Sequence, residues 1–226
     1  TIEAGKTTAD ANADSTGGKI TITTGSSTKA SSGDFIVTTA DAGPAGITGD
    51  IVLSTGASTA GLSGGIYLGT GTGVGDSAGK IDITVGSGDT GPGGDLVMAS
   101  GATAASSETG GAVIMNSGAG PASGAITIKG GSASGGISGD TLVSSGDATG
   151  VTGHSFFKSG DASAASSGAV TISSGASVGG NGGDIDITVG TGNIGAGGNV
   201  NINGGQSTNA NASGGGVTIT SGSGTK

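Results

Sequence analysis

The residue types that could do chemistry are few in this chain, and their spacing works against most of it. His154 is the sole histidine, standing beside Phe156 and Phe157. A general base needs an orienting partner and a nucleophile within hydrogen-bond reach. No such partner is spaced around His154, and no catalytic residue is assigned. Asp34, Asp50, Asp95, Asp140 and Asp184 recur at one position of a repeated phrase. Carboxylates brought to a common edge could hold a divalent cation through oxygen ligands. As solvated surface charges they would only keep the chain in solution, and that is the expectation adopted, with no metal site. Cysteine is absent, so disulfides and thiolate metal ligands are excluded. Asn211-Ala-Ser213 is a glycosylation sequon and makes Asn211 a candidate sugar acceptor.

The elements that would have to position these groups are all copies of one phrase. It is clearest as Gly183-Asp-Ile-Asp-Ile-Thr-Val-Gly190, with apolar residues at its third and fifth places and glycine at its first and eighth. Full copies open at Gly18, Gly33, Gly49, Gly64, Gly79, Gly94, Gly111, Gly124, Gly139, Gly153, Gly168, Gly183, Gly198 and Gly215. The first and last of these fourteen are 197 residues apart over thirteen intervals, a period of about fifteen. Ile2-Glu3-Ala4-Gly5 fits as the tail of a further copy. A fixed period of this length is the mark of a repeat architecture.

Gly-, Ser- and Thr-rich composition ordinarily reads as linker or disorder. Only 10% of the residues are charged, however, and the β-branched residues recur in place, as in Ile20/Ile22, Ile81/Ile83, Ile126/Ile128 and Val217/Ile219. Apolar residues two apart share one face of an extended strand. Fifteen residues are too few for a strand–helix–strand crossover. The pattern therefore predicts an all-β fold, a parallel β-solenoid (β-helix) of about fifteen coils running through residues 1–226 as one array. Its core would be thin, and its coils would rise ~4.8 Å each. Glycines at the eighth place (Gly25, Gly56, Gly71, Gly86, Gly101, Gly175 and Gly190) would turn the corners with positive φ. Pro44, Pro92 and Pro121 all fall in the linking segments, where no ladder donor is lost.

The fourth place of the phrase points away from the apolar pair. Ile36, Val52, Tyr67, Val97, Ile114, Leu142 and Phe156 occupy it, interrupted by Asp82, Thr127 and Thr171. An outward apolar stripe marks an interface, so these seven residues form the expected assembly surface. No polar cap of different composition closes either end, although solenoids normally need one. The expectation is a segment of a longer chain, or a subunit joined end to end or laterally with other copies.

Seven basic against sixteen acidic residues give a net charge of −9, which disfavours nucleic acid and anionic membranes as partners. No apolar run is long enough to span a bilayer. Thr23, Thr38, Thr84, Thr188 and Thr220 share the sixth place, a partial likeness to the threonine face of insect antifreeze β-helices. Lys129 and Lys158 interrupt that ladder. Gly135–Val143 approaches the calcium nonapeptide of RTX β-rolls, but it occurs once and lacks one glycine.

Phrases such as Gly168-Ala-Val-Thr-Ile-Ser-Ser-Gly175 and Gly183–Gly190 resemble the Gly/Ser/Thr-rich repeat regions of very large secreted or cell-surface proteins of microalgae, other protists and bacteria. The resemblance covers essentially the whole chain. It implies an extracellular or cell-surface fibre, sheath, hair or adhesin-like stalk, with no enzymatic activity and no cofactor. Self-association and attached glycans are the partners expected. An ice-binding protein and a cation-dependent adhesin stalk are the alternatives.

Overall fold

A phrase with two or three large apolar residues in a fifteen-residue period has little to bury, and this decides the architecture. The computed structural model describes residues 1–7 and 16–224. Thr225 and Lys226 lie outside them, as does most of the link after the first partial copy. Among the described residues there is no helix and no strand. The expected parallel β-solenoid is therefore overturned, and the β-helix description with it. Stacked coils would bond backbone groups about fifteen residues apart. The backbone hydrogen bonds observed instead span three to thirteen residues.

The thin core is also absent. No side chain is buried among the described residues, and all of them but Ala4, Thr24, Gly130 and Ser159 are exposed. The chain presents 21826 Å² of accessible surface. A folded monomer of this mass would present about 8,800 Å², and the unfolded chain about 29,000 Å². Physically, the shortfall lies in the composition. Glycine supplies 55 of the 226 residues and loses the most conformational freedom on ordering. Two or three large apolar side chains per phrase offset too little of that loss.

What order exists is local and periodic. The chain falls into two units, Thr1–Ile114 and Met115–Lys226. In the first, the amide of Gly18 donates to the Gly5 carbonyl at 2.9 Å, that of Gly33 to Gly25 at 3.0 Å and that of Gly111 to Gly101 at 2.9 Å. Each bond ties the first glycine of one phrase to the last glycine of the phrase before it. A linking loop is thereby pinched closed at its neck. A seventh-place hydroxyl reinforces one neck, Ser100 Oγ donating to the Gly111 carbonyl at 2.8 Å, and at a junction without a neck bond Thr70 Oγ1 donates to the Gly79 carbonyl at 3.3 Å.

Inside these loops, polar side chains take up backbone amides, which is the usual chemistry of turns. Ser27 Oγ accepts from the amide of Ala30 at 2.9 Å, and Ser58 Oγ from that of Gly61 at 3.0 Å. Pro44 sits at the second place of a turn closed by the Gly46 amide on the Gly43 carbonyl at 3.1 Å, where its fixed φ is favourable. The one positive-φ glycine among the described residues is Gly75, at +85°. It lies in a link, so the corner role expected of Gly25, Gly56, Gly71, Gly86, Gly101, Gly175 and Gly190 is not observed. Of these, Gly25 and Gly101 act as neck acceptors.

The second unit repeats the device. Gly124 donates to Gly118 at 3.2 Å, Gly139 to Gly131 at 3.0 Å and Gly215 to Gly205 at 2.8 Å. Where no such bond forms, the opening glycine still faces the seventh residue of the preceding phrase. A Cβ on Gly183 would stand 3.5 Å from Ser174 Cβ, and one on Gly198 only 2.8 Å from Val189 Cγ1.

Candidate assembly surface

The phrases are without strand among the described residues, yet residues two apart within them can meet. Lys80 and Asp82, two apart at the second and fourth places, form an ion pair. Exposure differs between adjacent apolar positions. In the first unit, third-place Ile66 is 52% exposed while fourth-place Tyr67 is 95% exposed. Leu96 and Val97, the equivalent pair two phrases on, stand at 56% and 80%.

Ile36, Val52, Tyr67, Val97 and Ile114 all lie exposed in the first unit, and Leu142 and Phe156 in the second. Among the described residues, none of the backbone bonds joins the middle of one phrase to another. The seven residues recur as apolar positions along the chain without strand pairing between their phrases. Tyr67 folds back over its own phrase: a Cβ on Gly65 would meet its Cε2 and Oη at 3.1 Å. The third- and fifth-place residues, expected to face inward, are exposed as well. Ile22, Ile83, Ile128 and Ile187 are open to a partner too, though less so than the seven fourth-place residues. Reading the sequence for an inside and an outside missed them.

The chemical candidates are dispersed. Among the described residues no three His, Asp or Glu side chains stand together as metal ligands, so Asp34, Asp50, Asp95, Asp140 and Asp184 are not gathered at one edge. There is no cavity among those residues either. His154 has the ring of Phe156 as its neighbour, centroids 5.5 Å apart and tilted by 41°. Without a sheet, the sixth-place threonines form no ladder. Asn211 lies exposed in a turn.

The neck is the feature that sequence reasoning did not foresee. Its signal was present in the hydroxyls at the seventh place, Thr24, Thr39, Thr55, Thr70, Ser100, Ser117, Ser145, Ser159 and Ser174. Val85 and Val189 take that place in two phrases and are the least exposed large apolar residues, at 43% and 39%. No helix of the chain is long and apolar enough to cross a membrane among the described residues. Neither a family model, a curated protein nor a solved structure matches the chain.

Proposed function

We propose that this chain is a structural repeat protein that forms or extends an extracellular filament, sheath, hair or stalk by associating with other copies of itself. The observation that supports this reading is the exposure of every large apolar residue at fixed places in the phrase. Apolar surface on this scale is costly in water and marks a surface to be covered. The exposed area exceeds that of a folded monomer by ~13,000 Å², while a standard interface buries only about 1,600 Å² in total. One partner cannot cover such an excess, whereas an open series of copies can.

The contacts joining the copies are the phrases, through their third-, fourth- and fifth-place side chains, and the loops between necks face solvent. No group in this reading performs catalysis. The test is sedimentation velocity on the purified full chain over a range of concentrations, with electron microscopy of the same samples. Polymers that grow with concentration are expected. A chain that stays monomeric throughout would end the reading.

A further inference from the structure

The geometry points to Asn211 as the acceptor of a single N-linked oligosaccharide, carried at the tip of a pinched loop. The loop is closed at its neck by the Gly215 amide on the Gly205 carbonyl at 2.8 Å. Within it, the Ala212 amide donates to the Asn209 carbonyl at 3.1 Å, which makes Asn209–Ala212 a four-residue turn with Asn211 at its third place. The Asn209 side chain holds that turn: its Oδ1 accepts from the Asn211 amide at 3.0 Å. Ser207 Oγ in turn accepts from the Asn209 amide at 3.2 Å. Asn209 is thus engaged in its own turn, whereas no protein hydrogen bond reaches the side-chain amide of Asn211 among the described residues.

Sequence and geometry agree on which asparagine is modified. Asn211 has Ser213 two residues on, as a sequon requires, while Asn209 has Asn211 there and is no acceptor. The neck also separates the site from the apolar positions on either side of it, Val200 and Ile202 before and Val217 and Ile219 after. A bulky hydrophilic sugar at the tip would stay in water without covering the phrases. In the transfer, Nδ2 of Asn211 attacks C1 of the sugar on a lipid-pyrophosphate-linked oligosaccharide. The bond from C1 to the pyrophosphate oxygen breaks, the lipid pyrophosphate leaves with the bonding pair, and one amide proton passes to a base. The inference rests on the extracellular reading for its biological setting, though its chemistry does not require a cell.

The purified full chain incubated with an oligosaccharyltransferase and a lipid-linked oligosaccharide tests it directly. Mass spectrometry should find one glycan per chain, on the peptide containing Asn211. Asn211→Gln and Ser213→Ala should each abolish it, and Asn209→Gln should leave an acceptor at Asn211. An unmodified chain, or a glycan that survives Asn211→Gln, overturns the assignment. Neither result bears on whether the chain polymerises, and a chain that fails to polymerise leaves the acceptor test intact.

Discussion

The amide of Gly215 donates to the carbonyl of Gly205 at 2.8 Å, and Gly204 approaches the Gly215 carbonyl so closely that no Cβ could stand between them. This neck brings together residues ten apart in a chain without sheet or core. The same bond recurs at Gly18–Gly5, Gly33–Gly25, Gly111–Gly101, Gly124–Gly118 and Gly139–Gly131. A net hydrogen bond of this kind contributes about 0.5–1.5 kcal/mol, so the neck is a local and separately breakable unit.

Gly204→Ala should open it. The added methyl must displace backbone, and the Gly215 amide should lose about two- to tenfold of its protection from hydrogen exchange. Gly222, around which there is open space, supplies the control: Gly222→Ala should leave that amide unchanged. Equal exchange at Gly215 in all three chains would mean that the neck does not persist in solution.

Val97→Asp with Ile114→Asp should abolish assembly. Burying either side chain against a partner is worth about 1.5–3 kcal/mol, and an aspartate there adds charge to an already acidic chain. The concentration needed for polymerisation should rise at least about tenfold by sedimentation. Thr171→Ser, at the same place of a polar phrase, should have no effect. Normal polymers from the double variant would remove the fourth-place residues from the interface.

Salt should favour assembly. The net charge of −9 makes copies repel one another, and the Debye length falls from about 30 Å at 0.01 M to about 8 Å at 0.15 M. Light scattering should therefore increase as salt is added. The exposed Lys158–Asp161 pair, at 3.4 Å, contributes little, since surface pairs are worth about 0–1 kcal/mol. Lys158→Ala should leave assembly within error of the parent. Dissolution by salt would instead point to attraction between charges as the force joining copies.

A chelator should leave assembly unchanged, because the repeated aspartates are not gathered into a cation site. Scattering measured before and after chelation decides this. A collapse reversed by added calcium would favour the cation-dependent stalk over the filament held by apolar contacts.

Local features were legible in the sequence because their causes are local. The phrase from Gly183 to Gly190, its apolar residues two apart and the three prolines in the links depend only on neighbours along the chain. They reappear as stretches of unequal exposure, seen at Ile66 and Tyr67, and as the turn at Pro44. Exposure was legible in part: Ile36, Val52, Tyr67, Val97, Ile114, Leu142 and Phe156 are exposed, as their outward place predicts. Ile22 and Ile83 were assigned to an interior that is not found among the described residues.

The sequence by itself determined the period, the phrase and the division between apolar stretches and polar loops. Only the tertiary structure decided what each phrase bonds to. Stacking requires backbone partners about fifteen residues apart and enough buried side chain to offset the ordering of a glycine-rich coil. A neck requires only the closure of a short loop and two glycines that can approach without a Cβ, which costs little chain entropy. With only two or three large apolar residues per phrase, local closure prevails over stacking within one chain, and the apolar positions stay exposed.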